Sequence, residues 1–194
     1  MHKTGSINNI VVIEDFISKD KCDSIVASLT DDVIWKSHTQ NGIPDKCANN
    51  LDEQLPEVYT ILKDAMDRLQ AAIEHHFGRQ LHEGFPGIRK WSEGEFQPVH
   101  ADGEGPGGEP NEAYIVDYGS VIYLNDGYEG GEIYFPEYGI ELKPKPGTVV
   151  FFPSNNMYNH GVKPITSGIR YTSAQFWIPT KHLILKDRVL KGLA

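Results

Sequence analysis

From Phe85 to Ile178 the chain is written in short runs of aromatic and β-branched residues, cut apart by Gly, Pro, Asn and Asp. Val121–Leu124, Ile133–Phe135, Thr148–Phe152 and Arg170–Ile178 are such runs, and Pro146-Gly147 marks the turn before one of them. Branched and aromatic side chains suit a pleated surface, while Gly and Pro punctuate it. Many short strands in this rhythm spell a β-barrel or jelly roll rather than a helical or α/β fold.

The first part of the chain reads differently. Ile10–Ile13 is a short β-branched strand. Ser18 stands where a helix N-cap belongs, and Cys22, Ile25, Val26 and Leu29 follow at i, i+3, i+4, i+7 as one buried stripe. A longer helix is predicted over Pro56–Phe77, with Val58, Leu62, Ala65, Met66, Leu69, Ile73 and Phe77 on its apolar face and Gly78 as its stop. His38–Asn50 is polar, contains Gly42 and Pro44, and reads as a loop. Gly103–Asn111 reads as a mobile Gly/Pro-rich loop, and Lys181–Lys191 as a docked tail helix with a solvated basic face. The expectation is one domain over 1–194: a strand and supporting helices in 1–84, a β-core in 85–179 and a tail in 180–194. The fold class is mainly β with flanking helices.

Composition narrows the partners. With 18 Lys+Arg against 27 Asp+Glu the formal charge is −9, which argues against a broad grip on nucleic acid. No apolar run approaches the ~20 residues of a membrane span, so no membrane partner is expected. The opening Met1–Gly5 lacks a hydrophobic signal core. Cys22 and Cys47 form no CxxC pair, and a reduced, cytoplasmic setting is the simplest reading.

Chemistry concentrates at His100-Ala101-Asp102, with His160 and Arg170 downstream. In a strand, residues i and i+2 share a face, so His100 and Asp102 can aim into one barrel mouth. With His160 as third ligand, two imidazoles and a carboxylate would hold one face of a divalent metal and leave the other open to reactants. A structural zinc site would instead be closed and normally use cysteines. The HxD spacing alone is a weak signal. His75-His76, near a helix end, reads as helix surface. Gly130-Gly131 lacks the lysine of a phosphate loop and reads as a strand turn, and no GxSxG elbow is present. Ser154-Asn155-Asn156 reads as loop, Trp177 as core or interface, and Arg89 and Lys90 as charges near the barrel mouth.

The surrounding motifs carry more. Val12-Ile13-Glu14-Asp15-Phe16-Ile17-Ser18, Pro98-Val99-His100-Ala101-Asp102 and Val121-Ile122-Tyr123-Leu124-Asn125-Asp126 come first. Gly130-Gly131-Glu132-Ile133-Tyr134-Phe135-Pro136 and Pro144–Phe152 follow, then His160-Gly161-Val162-Lys163-Pro164 and Gly168-Ile169-Arg170-Tyr171. In this order the chain resembles the prolyl 4-hydroxylase-like branch of the Fe(II)/2-oxoglutarate oxygenases over most of its length. The resemblance implies a double-stranded β-helix (jelly roll) with flanking helices. It implies Fe(II) on His100, Asp102 and His160, and 2-oxoglutarate held by Arg170 and Tyr123, with Thr172 on the same strand face as a weaker pocket candidate. Ascorbate as reductant is a further expectation. Two departures stand out: Arg170 replaces the lysine of collagen-type enzymes, and Trp91 stands where that subgroup often has tyrosine. A guanidinium binds a carboxylate as a fork where ammonium is a point charge. Trp91 is read as lining the pocket or packing the core, with core packing ranked first, and Phe176 as a packing residue.

The implied reaction is O₂-dependent hydroxylation of an unactivated C–H bond, Asp102 favouring this over halogenation. A prolyl residue in a peptide or protein is the first expectation for the substrate, a free amino acid or other small molecule the second. A noncatalytic, metal-containing jelly-roll binding module is the alternative of another class. The loops 38–50 and 103–111 are candidate lids.

Overall fold

A computed structural model describes residues 4–40, 43–82, 84–105, 107–111 and 113–183. These form, in chain order, β1 (Thr4–Ile7), β2 (Ile10–Ile13), α1 (Lys19–Ala27), β3 (Lys36–Gln40), β4 (Ile43–Ala48), α2 (Leu51–Gln54) and α3 (Pro56–Phe77). Then come β5 (Ile88–Trp91), β6 (Gln97–His100), β7 (Tyr118–Tyr123), β8 (Tyr128–Gly130), β9 (Ile133–Phe135) and β10 (Ile140–Leu142). The last are β11 (Val149–Pro153), β12 (His160–Val162), β13 (Ile165–Gly168) and β14 (Arg170–Trp177). An eight-stranded sheet runs β1-β2-β11-β7-β14-β5-β4-β3, and a four-stranded sheet runs β10-β9-β12-β6. Strands β13 and β8 make a separate pair. No helix among the described residues is long and apolar enough to cross a membrane.

Strand alternation builds two cores from the same strands. On β11, Val149 and Phe151 pack toward α3 with Leu62, Leu69 and Ile73, while Val150 and Phe152 pack the other way with Ile133, Phe135 and Tyr158. On β7, Ile122 joins the helical side and Tyr123 the other. A strand buried on both faces loses the polar alternation of a half-exposed one, which is why Val149–Phe152 is an unbroken apolar run. The result is a layer of helices on a large sheet, with a smaller sheet on its other face, the jelly-roll arrangement.

Helix α3 occupies the span its periodicity predicts, and its stripe is buried at Val58, Leu62, Ala65, Met66, Leu69 and Ile73. Gly78 ends it in the left-handed conformation (φ 65°), its N–H donating to Glu74 O, a backbone state that costs glycine least. Two expectations need correction. Ser18 sits at the N-cap of α1 with extended backbone, but its hydroxyl makes no capping hydrogen bond. The span 38–50 is no simple loop: it contributes most of the antiparallel β3–β4 pair, with Cys47 and Ala48 of β4 buried. Strand β4 pairs with β5 through Lys46↔Lys90, Cys47↔Arg89 and Ala48↔Ile88. An edge hairpin is held by backbone pairing to its neighbour, so its polar composition gave no strand signal. The expected tail helix lies, from position 184 on, outside the described residues.

Candidate metal and cosubstrate site

Strands β6 and β12 are antiparallel neighbours in the smaller sheet, with His160 directly across from His100. Their imidazole centroids are 4.5 Å apart. Asp102 completes the group, its Oδ1 3.4 Å from His100 Nε2 and 3.8 Å from His160 Nε2. The ligand atoms of all three lie within 4.8 Å of one another. Asp102 gets there by a route the sequence did not show. Strand β6 ends at His100, so strand alternation does not extend to position 102. Asn111 Nδ2 instead donates to Asp102 O at 3.1 Å, and Gly103 N donates to Ser154 O at 2.9 Å, which fixes the turn. Gly119 on β7 leaves the room: a Cβ there would run into Asp102 Oδ2 and the Phe152 ring.

The hydrogen bonds behind the ligands set their tautomers. His100 Nδ1 faces Pro98 O at 2.9 Å and His160 Nδ1 faces Tyr158 O at 3.1 Å. A carbonyl only accepts, so each Nδ1 carries the proton and each Nε2 keeps its lone pair for a metal. With that tautomer Gln97 Nε2 donates to His100 Nε2 at 3.2 Å. Burial drives the His160 pKa down and so favours the neutral ring, partly opposed by the Asp102 charge. Burial resists ionisation of Asp102, yet the two imidazoles and Arg89 outweigh it and lower its pKa. Burial likewise resists protonation of His100, but its bond to Asp102 raises its pKa overall. A cation entering the site takes a ready carboxylate and a neutral His160, and displaces any proton from His100.

A second constellation lies beside this one. Arg170 on β14 stands across from Trp91 on β5, and Thr172 across from both Arg89 on β5 and Tyr123 on β7. Arg170 is 2% exposed, its guanidinium carbon 5.0 Å from the Tyr123 ring centre and 5.5 Å from that of Trp91. Burial pushes the Tyr123 phenol up to about 12, with Arg170 acting against the rise. Burial also raises Tyr128, again against Arg170. Gly131 (φ +68°) lets these groups meet, since a Cβ there would press on Ile165, Arg170 and Tyr128. The same cavity is lined by Arg89, Trp91, His100, Asp102, His160, Arg170, Thr172 and Phe176.

The chemistry of this second group is legible in what it lacks. Among the described residues, five buried side-chain polar atoms have no hydrogen-bond partner, and four surround Arg170: its own Nε, Trp91 Nε1, Tyr123 Oη and Tyr128 Oη. Leaving one such group unsatisfied costs about 1–3 kcal/mol. All four can donate, and a carboxylate offers only acceptors. The residues present therefore fit a buried carboxylate at Arg170, next to a facial metal site.

The structure brings together every site residue expected from the sequence: His100, Asp102 and His160 in one cluster, and Arg170, Tyr123 and Thr172 in its neighbour. Trp91 and Phe176, read as packing residues, line the cavity, because strand register turns them to the inner face. Arg89, read as a charge near the barrel mouth, lines the cavity, whereas Tyr128 and Gln97 were missed as site residues; only cross-strand pairing and three-dimensional proximity place them there. Ser154 is buried and accounts for itself structurally, its hydroxyl donating to Val116 O. Trp177 is core, donating from Nε1 to Ser120 Oγ at 2.8 Å. Among the described residues of 103–111, Glu104 Oε2 accepts from Asn156 N (2.8 Å) and Gly105 N donates to Glu109 O (2.7 Å).

Comparison with known proteins places this geometry. The profile of the 2OG-Fe(II) oxygenase superfamily matches residues 86–179. A PKHD-type hydroxylase of Pseudomonas putida is 33% identical over 153 residues, covering 73% of this chain and 64% of that protein. Prolyl 3-hydroxylase 2 of Homo sapiens is 36% identical over 85 residues. That match covers 38% of this chain and only 12% of the human protein, so the chain spans a small part of such relatives. Among solved structures, a Pseudomonas putida prolyl-4-hydroxylase superposes with a TM-score of 0.72 at 20% identity, covering 88% of this chain and 92% of that one. A Trichoplax adhaerens prolyl hydroxylase, in complex with a hypoxia inducible factor oxygen degradation domain peptide fragment, gives 0.73 at 18% identity, covering 92% and 87%. The matched profile spans the strands that carry both constellations, and hydroxylases recur among the relatives in sequence and in fold: over residues 86–179 the chain is similar to the 2OG-Fe(II) oxygenase superfamily, and it shares its fold with solved prolyl hydroxylases.

Proposed function

We propose that the chain is an Fe(II)- and 2-oxoglutarate-dependent dioxygenase that hydroxylates an unactivated C–H bond, with a prolyl residue in a peptide or protein as its substrate. The observation that carries this is the pairing of the three-ligand cluster with a pocket of donors that lack acceptors. The prolyl hydroxylase relatives, one of them solved with a peptide, support the substrate class.

His100, Asp102 and His160 would hold the iron, and Arg170, Tyr123 and Thr172 the cosubstrate, with Tyr128 and Trp91 as additional donors. The bound metal and 2-oxo acid supply the O₂ chemistry. The protein's residues supply placement. Pro98 O and Tyr158 O lock the two imidazoles with Nε2 toward the metal. Asn111 holds the Asp102 backbone, so its carboxylate binds without reorganisation. Arg170 would hold a carboxylate of the cosubstrate by charge-assisted hydrogen bonds from its guanidinium. Phe135 and Phe152 pack on the His160 ring and exclude water from that side. Ascorbate as reductant belongs to the same proposal. So does a reducing, cytoplasmic setting, which two buried free thiols, Cys22 and Cys47, support.

The test is succinate formation. Protein purified without oxygen is given Fe(II), 2-oxoglutarate and air, and succinate is followed by mass spectrometry against panels of prolyl peptides and free amino acids. Wild type should turn over with substrate-dependent stimulation, and His100→Ala and Arg170→Ala should lose at least about 100-fold. Equal yields from all three proteins would remove the assigned site, and stimulation by free amino acids alone would replace the peptide reading.

A further inference from the structure

Both ends of β6 face the cavity, which a regular strand would not allow. Gln97 and His100 are three residues apart, so strict alternation would put them on opposite faces. Strand β12 pairs with β6 through His160↔His100 and Val162↔Gln97, and the register shifts between these pairs. Three steps along β6 are thus matched by two along β12. One extra residue of this kind re-aims the side chains beside it, as a β-bulge does. Gln97 and His100 line the cavity together, while Pro98 and Val99 between them are exposed.

The shift brings an amide to a ligand nitrogen. Gln97 Nε2 lies 3.2 Å from His100 Nε2, while His100 Nδ1 donates to Pro98 O at 2.9 Å. The ring is therefore held at both nitrogens, with Nε2 3.4 Å from Asp102 Oδ1. One lone pair cannot serve an N–H donor and a cation together, so a metal on His100 takes the acceptor away from Gln97. The freed amide still has N–H groups to satisfy, and leaving one unsatisfied in a part-buried place is costly. Its neighbours in the cavity offer little. Trp91 and Arg170 only donate, and Ser120 Oγ already accepts from Trp177 Nε1 and donates to Gln175 O. A 2-oxo acid brings carboxylate oxygens into this cavity, and these only accept.

We propose that Gln97 is a positioning residue of this site: its amide holds the His100 lone pair until a cation takes it, then turns to a carboxylate oxygen of the 2-oxo acid. This rests on the metal and cosubstrate reading above and adds a residue that links the two. Gln97 opposes the bare metal, because the metal must displace it, and favours the 2-oxo acid, because the acid supplies the acceptor that the metal removed. The second bond is the stronger one, since a charged acceptor replaces a neutral ring.

Zn(II), a diamagnetic stand-in that takes imidazole and carboxylate ligands, allows a test without turnover. In wild-type protein labelled with ¹⁵N-glutamine, the Gln97 side-chain amide signals should move when Zn(II) binds and move again when 2-oxoglutarate is added. This arm needs no variant. Signals that stay in place while Zn(II) binds overturn the proposal. Movement with Zn(II) and none with bound 2-oxoglutarate overturns it as well, and leaves the freed amide to Asp102. Gln97→Met keeps the side-chain length and removes the donor. By chelator competition it should bind Zn(II) roughly two- to tenfold more tightly than wild type, and by calorimetry the Zn(II)-loaded variant should bind 2-oxoglutarate about tenfold or more weakly. Opposite signs of this kind do not arise from general loosening of the fold, which weakens both. Unchanged or weaker Zn(II) binding, or unchanged 2-oxoglutarate binding, counts against the exchange and overturns it. The wild-type titrations separate the failures. Without Zn(II) binding the metal reading falls and this proposal with it; without 2-oxoglutarate binding the cosubstrate reading falls. Both ligands bound beside an unmoved Gln97 amide sinks the proposal alone.

Discussion

Replacing Tyr123 by Phe should make the ligand-free protein more stable and the cosubstrate complex weaker, an opposition that few mutations produce. The Tyr123 ring is fully buried, and its hydroxyl has no partner. Phenylalanine keeps the ring and removes the unsatisfied group, which relieves a penalty of about 1–3 kcal/mol. For a chain of this size each kcal/mol moves the melting temperature by about 2–4 °C, so a rise of roughly 2–12 °C is expected without metal or cosubstrate. With a carboxylate at Arg170 the same hydroxyl becomes a donor to a charged acceptor, a bond of about 1.5–3 kcal/mol. Its loss should weaken 2-oxoglutarate binding roughly 10- to 150-fold. Melting followed by far-ultraviolet circular dichroism gives the first quantity, and anaerobic calorimetry with the Mn(II)-loaded protein the second. Melting at or below the wild-type temperature together with a cosubstrate affinity within twofold of wild type would falsify the account of this pocket.

One further substitution probes what holds the site, and the two thiols probe the burial around them. Gly119→Ala places a methyl against Asp102 Oδ2 and the Phe152 ring, so metal affinity, read by chelator competition, should fall about 10- to 100-fold, the usual scale for disturbing a ligand's support. An unchanged affinity would mean that Asp102 has another position open to it. Burial pushes both Cys22 and Cys47 up to about 11. Only about 0.1% of each thiol is then ionised at pH 8, and neither should react quickly with a disulfide reagent until urea unfolds the chain. Because burial raises these pKa values above those of the unfolded chain, each thiol should favour the folded state increasingly less above pH ~8.5, once unfolded thiols begin to ionise. A fast native phase of one thiol equivalent would refute the burial of that residue.

How much was legible can be argued residue by residue. The stripe Val58, Leu62, Ala65, Met66, Leu69, Ile73 fixed α3, because periodicity is a local property and the helix buries that stripe. The order of motifs around His100, Asp102, His160 and Arg170 was enough to name both halves of the site. Gln97 and Tyr128 were not legible as site residues, since a Gln and a Tyr in short strands carry no local mark of what lies opposite. Trp91 was weighed as core for the same reason: its cavity role depends on standing across from Arg170. The β3–β4 hairpin was hidden because backbone pairing at a sheet edge leaves no hydrophobic pattern to read.

The sequence by itself determined the periods: one long amphipathic helix, a series of short strands, and ligand-type side chains in an order that only a few folds can use. The tertiary structure decided the distances. It set His160 across from His100 by pairing β12 with β6, and turned Asp102 toward them by a bond from Asn111 beyond the strand's end. It also gathered polar groups from β5, β7, β8 and β14 around Arg170 with no hydrogen-bond partner among the described residues. Local periodicity follows from the chain's own geometry, whereas those proximities arise from register between strands far apart in sequence, and register is fixed only when the sheets close on their cores.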